Sequence, residues 1–338
     1  MAEVTVLNAG GWGTALAVVL ARAGHAVRLW ARRREQADAL AAGRVNEAYL
    51  PGVTLPDAVR PTSDLAAAVD GCAAVVMVPI SAAVQDLARR LGPLLPDDAL
   101  VVHGTKGLER ASLLRLSQVI ERELRLTHHG RVAVLSGPTH AEEVGRAIPA
   151  AAVVASPDGE SASALQAILN GPTFRVYTNT DVVGVELCGA LKNVVALATG
   201  VGDGLGGGDN ARAALITRSL AEIGRLVVAA GGRAETVAGL AGVGDLVATC
   251  TSRHSRNRRA GEQIGRGVPL DRVLADSPQV VEGVPATRAA LALARRYAVS
   301  MPIVEQAHAV LFEGRDPRDA MSELMARDPT AERWGRVP

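Results

Sequence analysis

The feature that most constrains this chain is a glycine-bearing turn near its start, between an apolar run and an Ala-rich stretch. The apolar run is VTVL at 4–7, the turn is NAGGWG at 8–13, and a helical pattern follows over 14–23. A strand, a tight turn and a helix in this order can bind the phosphates of a dinucleotide at the helix N-terminus. The sequence therefore predicts a dinucleotide site, and the alternative is an ordinary Gly-rich turn of an α/β protein.

The turn departs at one position from the usual dinucleotide pattern G-x-G-x-x-G. The first glycine is replaced by Asn8, whereas Gly10 and Gly13 hold the other two places. Asparagine is the side chain that best tolerates a left-handed turn, and the two retained glycines allow close approach of the pyrophosphate and of the helix to the strand. We therefore expect Gly10 and Gly13 to bind the cofactor.

A basic segment follows the second expected strand, where an NAD site normally carries an acidic residue. Here the positions are occupied by Arg32, Arg33 and Arg34. Because a guanidinium pairs well with a phosphate, the segment favours NADP over NAD. The alternative is a solvated basic turn without a ligand.

The order of apolar segments predicts two domains of different class. Short apolar runs at 4–7, 26–30, 73–78, 99–103, 132–136 and 151–156 alternate with helical stretches. This alternation is typical of a parallel sheet covered on both faces. From about residue 181 the chain has long helical patterns broken by Gly-rich turns. We expect a doubly wound dinucleotide-binding domain at 1–180 and an all-helical domain at 181–338.

Composition argues against several other classes of protein. The 338 residues carry a formal net charge of +1 and only 2% aromatic residues, which disfavours nucleic-acid binding. Three scattered cysteines without a C-x-x-C motif predict a reducing compartment and no metal site. Apolar runs such as 72–80 are too short to span a bilayer, and no signal-peptide pattern precedes Val4. We expect a soluble cytoplasmic protein without membrane insertion.

Two segments of the second half carry candidate catalytic groups. Lys192 lies in a helical stretch whose neighbours at i±3 and i±4 are all small or apolar, and Asp245 begins another helical stretch with Thr249 one turn later. A lysine partly removed from water has a lowered pKa and can act as a general acid or base. The alternative for Lys192 is a side chain that extends to solvent along an apolar surface.

Three further segments carry candidate anion-binding groups. In the basic loop at 252–259, Ser255, Arg256 and Asn257 combine a charged fork with neutral donors and could hold a phosphate, or the loop could simply be exposed. Lys106 follows the strand at 99–103, at the sheet edge where ligands bind. Thr139 follows the strand at 132–136 and, with a glutamate three residues later, predicts a capping box.

Six segments stand in one order along the chain: NAGGWGTALA, TKGLE, GPTHAEEV, ELCGALKNVVALATGVGDGLGGGDNARAALITR, LAGVGDLVATCTSRHSRNRR and VVEGVPATR. Over residues 4–320 they closely resemble the NAD(P)-dependent glycerol-3-phosphate dehydrogenase family of bacteria. The resemblance implies a Rossmann-type doubly wound sheet joined to a helical domain of the 6-phosphogluconate dehydrogenase type, with the active site between them. It also implies a homodimer, and reversible reduction of dihydroxyacetone phosphate to glycerol 3-phosphate, the backbone precursor of phospholipids.

The resemblance also implies roles for individual residues. Positions that match cofactor-binding residues are Gly11, Trp12, Arg32, Arg33, Tyr49, Lys106, Ala141, Arg256, Val280 and Glu282. Positions assigned to the substrate are Lys106, Gly137, Thr139, Lys192, Asn193, Asp245, Thr249, Ser255, Arg256 and Asn257. Lys192 matches the family's proton acceptor, and Lys106 and Asp245 are its expected catalytic partners.

The implied mechanism has NADPH reduce the ketone while Lys192 supplies the proton and Asp245 orients it. Arg256 and Asn257 would hold the phosphate away from the reacting carbon. Two other functions remain open at this point: another NADPH-dependent two-domain reductase acting on a keto acid or hydroxy acid, and an NADPH-sensing module without chemistry.

Overall fold

The structure is a computed structural model that describes residues 1–277, 280–329 and 331–332. The chain divides into two compact units: Met1–Glu109 with Leu114–Val182, and Arg110–Leu113 with Val183–Pro338.

The first unit is built on an eight-stranded sheet with the order β10-β9-β8-β7-β6-β1-β2-β5, beside a two-stranded sheet of β3 and β4. The strands are β1 Glu3–Leu7, β2 Ala26–Trp30, β3 Val45–Asn46, β4 Leu50–Thr54, β5 Val59–Thr62, β6 Ala74–Met77, β7 Leu100–His103, β8 Ala133–Ser136, β9 Ala150–Ala155 and β10 Phe174–Asn179. The six predicted strands are all present, whereas β3, β4, β5 and β10 were not predicted.

Helices cover both faces of the eight-stranded sheet. They are α1 Gly11–Arg22, α2 Arg34–Gly43, α3 Leu65–Val69, α4 Val84–Leu91, α5 Leu116–Glu123, α6 Ala141–Gly145 and α7 Gly159–Leu169. Successive side chains of β6 point to opposite faces of the sheet. Val76 packs in one buried cluster, and Val75 and Met77 pack in another. The two faces are therefore both buried, which confirms the doubly wound α/β class.

One pair of neighbouring strands departs from the expected parallel arrangement. β8 and β9 are antiparallel, and β9 then pairs with β10 in parallel. Between β8 and β9 the chain forms only the five-residue helix α6. A helix of this length rises about 7.5 Å, which is too short to return the chain along a strand of about 20 Å, so β9 runs in the opposite direction.

The second unit is helical, as the change of pattern near residue 181 predicted. Its helices are α8 Val182–Gly204, α9 Gly208–Ala229, α10 Ala234–Val237, α11 Asp245–Thr251, α12 Arg256–Gly265, α13 Leu270–Ala275, α14 Gly283–Arg296, α15 Pro302–Phe312 and α16 Pro317–Met325. A π-helical turn at Leu240–Gly244 leads directly into α11.

The helix α8 is long and apolar enough to cross a membrane, with a mean hydropathy of 1.6 over its most apolar window. The sequence patterns predicted that every apolar segment is too short to span a membrane. They missed this helix because polar residues interrupt its apolar runs in the sequence. Of that window, 89% is buried inside the protein. Its apolar character is therefore accounted for by its position in the core of the second unit.

The backbones of α8 and α12 touch through glycines on both helices. A Cβ on Gly200 would overlap the carbonyl oxygen of Arg258, and a Cβ on Gly261 would overlap the carbonyl oxygen of Leu197. The same relationship repeats one turn further along, at Gly204 and Gly265. This glycine seam fixes the spacing of the two helices that carry Lys192 and Asn257.

Candidate active site

The turn after β1 lies at the point where the strand order of the sheet reverses. The chain proceeds from β1 to β2 on one side and later returns to β6 on the other side of β1. At this point Asn8 adopts a φ of 94°, and its side-chain amide donates a hydrogen bond of 3.1 Å to the carbonyl oxygen of Val78. Ligands of doubly wound sheets bind at such reversals.

The helix after this turn begins at Gly11, three residues earlier than predicted, with Gly10 as its N-cap. No hydrogen bond from a described side chain caps the helix. A Cβ on Gly11 would lie 2.8 Å from the carbonyl oxygen of Tyr49, and one on Gly13 would overlap the carbonyl oxygen of Asn8. The first turn of α1 is thus a narrow, glycine-lined helix N-terminus that fits a phosphate group.

Two buried or half-buried amides hold the turn in place, and the sequence patterns did not single them out. The Asn46 side chain donates to the Ala9 carbonyl at 3.0 Å and to the Thr14 hydroxyl at 2.7 Å, and the Gln36 side chain donates to the same carbonyl at 2.7 Å. Asn46 is 3% exposed, a burial that was not evident from its polar surroundings in the sequence. These bonds fix the backbone of the turn.

Several predicted cofactor-binding residues surround the N-terminus of α1. Ala141, the first residue of α6, lies 3.8 Å from a Cβ built on Gly11, on the side of Gly11 that also faces the Tyr49 backbone. The indole nitrogen of Trp12 lies 3.0 Å from a Cβ built on Gly104, just after β7. The first unit therefore brings Gly11, Trp12, Tyr49 and Ala141 together.

The arginines predicted to favour NADP lie beyond the end of β2. Arg32 and Arg33 are exposed, and Arg33 is the N-cap of α2. Arg34, the next residue, forms an exposed ion pair of 3.7 Å with Asp38. The end of β2 thus presents two solvent-facing guanidinium groups next to the reversal of the sheet, where a phosphate could pair with them.

A second group of predicted residues gathers at the ends of β7 and β8. The Lys106 ammonium donates to the Gly137 carbonyl at 3.1 Å, and the Thr139 hydroxyl donates to the same oxygen at 3.2 Å. The predicted capping box is wrong, because α6 has His140 as its N-cap and Thr139 bonds back toward β8. The predicted substrate residues Lys106 and Thr139 thus both donate to the carbonyl oxygen of the third, Gly137.

The centre of the second unit is a buried cluster around Lys192 on α8. Its ammonium donates to the Asp245 carboxylate and, at 2.7 Å, to the Thr249 hydroxyl. The three residues are 6%, 1% and 4% exposed. Lys192 is therefore held inside the protein, with a carboxylate as the counter-charge that a buried ammonium needs. The alternative of a lysine that extends to solvent is wrong.

The rest of this cluster comes from α11. The π-helical turn places Asp245 at the first position of that helix, and the Thr249 hydroxyl donates to the Asp245 carbonyl at 2.6 Å. Burial raises the pKa of the neighbouring Cys250 thiol to about 11. Cys250 is therefore a neutral thiol at physiological pH, and the ionisable groups positioned for proton transfer are Lys192 and Asp245.

A chain of amides runs from the residue after Lys192 to the start of α14. The Asn257 side chain donates to the Asn193 side-chain oxygen at 3.0 Å and accepts from the Gly283 backbone N–H at 2.9 Å. Asn257 is 8% exposed, and Asn193 is 6% exposed. The structure thus connects Asn193 with Asn257, which are far apart in the sequence.

The expected basic loop at 252–259 is wrong in its second half, where the chain is already helical. Ser255 is the N-cap of α12, and its hydroxyl accepts from the Arg258 backbone N–H at 3.3 Å. Arg256 is exposed in the first turn and donates to the carbonyl oxygen of Val280 at 3.2 Å. The serine cap outweighs the run of polar residues that predicted a loop.

Two predicted cofactor-binding residues near the end of the chain, Val280 and Glu282, lie beside the first turn of α12. Val280 accepts from Arg256, and Glu282 is the half-buried N-cap of α14. The second unit therefore brings the predicted residues Ser255, Arg256 and Asn257 close to Val280 and Glu282.

Comparison with known proteins agrees with this arrangement. Residues 3–162 match the family model of the NAD-dependent glycerol-3-phosphate dehydrogenase N-terminus, and residues 181–322 match that of its C-terminus. A glycerol-3-phosphate dehydrogenase [NAD(P)+] of Moorella thermoacetica is 54% identical over 98% of this chain and 97% of its own length. One of Desulfitobacterium hafniense is 53% identical over 97% of this chain and 92% of its own length.

Solved structures give the same result. The crystal structure of a glycerol-3-phosphate dehydrogenase from Coxiella burnetii has a TM-score of 0.90 and 44% identity, over 96% of this chain and 99% of that chain. A ketopantoate reductase from Ralstonia eutropha shares only the fold, with a TM-score of 0.59 and 19% identity over 94% of this chain and 99% of that chain. The resemblance found in the sequence motifs is confirmed: this chain belongs to the NAD-dependent glycerol-3-phosphate dehydrogenase family.

Proposed function

We propose that Lys192 is the proton donor and acceptor of an oxidoreductase that interconverts dihydroxyacetone phosphate and glycerol 3-phosphate with NAD(P)H. The observation that supports this role is the buried cluster in which the Lys192 ammonium contacts both the Asp245 carboxylate and the Thr249 hydroxyl. A reduced ketone oxygen carries negative charge, which an ammonium stabilises before it donates its proton. Glycerol 3-phosphate from this reaction supplies phospholipid synthesis.

In this mechanism Asp245 and Thr249 act on Lys192. Their contacts hold the ammonium in one orientation, and the carboxylate remains charged after the proton has left. Asn193, on the same helix as Lys192, is a further donor for the substrate. In the reverse direction Lys192 accepts the hydroxyl proton of glycerol 3-phosphate.

The cofactor supplies the hydride when it is bound. Its pyrophosphate fits the N-terminus of α1, where a side chain on Gly11 or Gly13 would meet backbone oxygens. The cofactor-binding residues of this proposal are Gly10, Gly11, Trp12, Gly13, Arg32, Arg33, Tyr49, Lys106, Ala141, Arg256, Val280 and Glu282. The two exposed guanidinium groups of Arg32 and Arg33 would favour NADPH over NADH, because they can pair with a 2′-phosphate.

The start of α12 holds the substrate phosphate in this proposal. Ser255, Arg256 and Asn257 surround a helix N-terminus, which favours an anion, and Arg256 adds a full positive charge. A phosphate fixed at one end of a three-carbon substrate helps to position the ketone carbon at the other end, which uses binding energy from a non-reacting group.

We further propose that residues 1–180 form the dinucleotide-binding domain and residues 181–338 the substrate-binding and catalytic domain. The division of the chain into compact units near residue 182 supports these boundaries. The family resemblance supports a cytoplasmic location. It also supports a homodimer, which sedimentation of the purified protein tests.

The decisive experiment is the oxidation of NADPH by purified protein, followed by absorbance on addition of dihydroxyacetone phosphate. We expect rapid oxidation with this substrate and much slower oxidation with small keto acids that carry no phosphate. Faster oxidation with a keto acid than with dihydroxyacetone phosphate would overturn the proposal in favour of the reductase alternative. NADPH binding without oxidation of NADPH by either substrate would favour a sensing module.

A further inference from the structure

Asp203, in the last turn of α8, joins three helices of the second unit. One of its carboxylate oxygens accepts from the Arg258 guanidinium on α12 at 2.7 Å. The other oxygen accepts two hydrogen bonds from Arg212 on α9, at 3.0 and 2.8 Å. The Asp203 side chain is only 8% exposed and that of Arg258 is 18% exposed, so their contact is better shielded from water than the contact with Arg212, which is 31% exposed.

Arg258 connects this carboxylate to the turn that carries the proposed phosphate-binding residues. Its backbone N–H donates to the Ser255 hydroxyl, and its side chain donates to the Ser252 carbonyl at 3.4 Å. Arg256 and Asn257 lie between Ser255 and Arg258 in the sequence. The backbone of both residues is therefore held between the serine cap and the arginine that Asp203 binds.

Lys192, the group proposed for proton transfer, lies nearer the start of α8 than Asp203. Lys192 precedes Asp203 by eleven residues on α8, a rise of about 16 Å. Near Lys192, the Asn193 side chain contacts Asn257, and near Asp203 the side chain of Arg258 completes a second connection between α8 and α12. Because Asn257 and Arg258 are consecutive residues of α12, the two connections tie the first turn of α12 to positions of α8 that are ten residues apart.

From these contacts we infer that Asp203 is a positioning residue for substrate phosphate binding, which acts through Arg258 on the first turn of α12. This inference rests on the proposed phosphate role of Ser255, Arg256 and Asn257. Arg258 bonds to Asp203, so Asp203 acts on the phosphate site without contacting the substrate.

Arg212 offers a matched control, because it binds the same carboxylate but lies on α9. Three single variants distinguish the contact of Asp203 with Arg258 from its contact with Arg212: Asp203→Asn, Arg258→Gln and Arg212→Gln. Each loses an ion pair with Asp203, so all three should lower the melting temperature. We expect Asp203→Asn and Arg258→Gln to raise KM for dihydroxyacetone phosphate about tenfold, as loss of one charge-assisted hydrogen bond does. The KM of Arg212→Gln should stay within about twofold of the wild type.

Two further readouts separate positioning from general loss of structure. In Asp203→Asn and Arg258→Gln the dissociation constant for NADPH should rise much less than the KM for dihydroxyacetone phosphate, because Arg256 is only one of the proposed cofactor-binding residues. The double variant Asp203→Asn/Arg258→Gln should have a KM no higher than the worse single variant, because the two residues act as one unit. Either an equal rise in KM for Arg212→Gln and Arg258→Gln or multiplicative effects in the double variant would overturn the inference.

The Arg256→Ala variant distinguishes a failure of this inference from a failure of the phosphate site. A normal KM in Asp203→Asn, beside a raised KM in Arg256→Ala, overturns the role of Asp203 alone. An Arg256→Ala enzyme with the full wild-type preference for the phosphorylated ketone over unphosphorylated dihydroxyacetone overturns the phosphate site, and the role of Asp203 with it.

Discussion

The Asn8 side chain donates a hydrogen bond of 3.1 Å to the Val78 carbonyl and thereby joins the residues that follow β1 and β6. The φ of 94° at Asn8 is one that glycine adopts without strain. We therefore expect Asn8→Gly to lower the free energy of unfolding by about 1 kcal/mol through the lost hydrogen bond, with turnover nearly unchanged. Denaturant unfolding and steady-state kinetics measure the two effects.

The matched variant is Asn8→Ala, which loses the same hydrogen bond and also places a Cβ at a strained φ. It should be less stable than Asn8→Gly by about another 1 kcal/mol. Equal stability of the two variants would show that the left-handed conformation is not what selects residue 8.

Arg32→Asp should weaken NADPH binding far more than NADH binding. The substitution removes a possible partner of the 2′-phosphate and adds a repelling charge at an exposed position. Fluorescence titration of both cofactors measures the effect. Arg34→Asp is the control, because Arg34 is equally solvent-facing but lies next to Asp38, and it should change the cofactor ratio little. Equal weakening of both cofactors by Arg32→Asp contradicts the assignment.

Lys192→Met should lower kcat by at least about 100-fold while NADPH binding persists, because it removes the proposed acid and base. It also leaves Asp245 as a buried carboxylate without its lysine, which should destabilise the protein by about 3–5 kcal/mol. Circular dichroism should therefore be recorded beside the kinetics, to show that the variant is folded under the assay conditions. Lys192→Met/Asp245→Leu should recover stability without recovering activity. A single variant within tenfold of wild-type turnover would remove Lys192 from the role and make Lys106 the candidate.

Arg256→Ala should reduce kcat/KM sharply for dihydroxyacetone phosphate and barely change the low rate with dihydroxyacetone. A charge-assisted hydrogen bond contributes about 1.5–3 kcal/mol, and a phosphate accepts more than one. NADPH must be saturating, because Arg256 is also a proposed cofactor residue. Arg259→Ala is the control, since Arg259 is exposed in the same helix and donates to the Arg253 carbonyl. A proportional loss with both substrates argues against a phosphate anchor.

Glu222 on α9 gives a pH dependence of stability. Burial raises the pKa of this carboxyl from 4.5 to about 7, although one oxygen accepts from the Ile303 N–H at 2.9 Å. The unfolded chain then releases this proton at lower pH than the folded chain. As the pH rises from about 4.5 to 7, this group should therefore lower the free energy of unfolding by about 3 kcal/mol.

The variant Glu222→Gln keeps an acceptor for Ile303 and removes the titration. The difference in unfolding free energy between this variant and wild type should change across that pH range and level off above it. Glu235→Gln is the control, because Glu235 is exposed and pairs with Arg233. A constant difference from pH 4.5 to 7 would contradict the raised pKa of Glu222.

The predictable part of the fold was the part that rests on local pattern. Buried parallel strands are continuous apolar runs, so β1, β2, β6, β7, β8 and β9 were visible in the sequence. The missed strand β5 contains Arg60 and Pro61 and lies at one edge of the sheet, and β10 alternates buried and exposed residues at the other. Edge strands bury fewer side chains, so their composition carries a weaker signal.

In the candidate site, residue types were easier to predict than partners. Apolar neighbours made a buried Lys192 one of two open interpretations, and they gave no sign of its contact with Thr249, which lies 57 residues later in the sequence. Likewise, the sequence offered no sign that Asn46 reaches back to the Ala9 carbonyl. Contacts of this kind join residues distant in sequence and follow from packing, which local periodicity does not encode.

The apolar length of α8 has a consequence for synthesis of the chain. The glycine seam pairs α8 with α12, whose last residue, Gly265, lies 61 positions after Gly204. At a translation rate of about 5–20 residues per second, the ribosome needs about 3–12 seconds to add α12 after α8 is complete. For that time the nascent polypeptide presents a membrane-length apolar helix without the partner that packs against it in the folded protein.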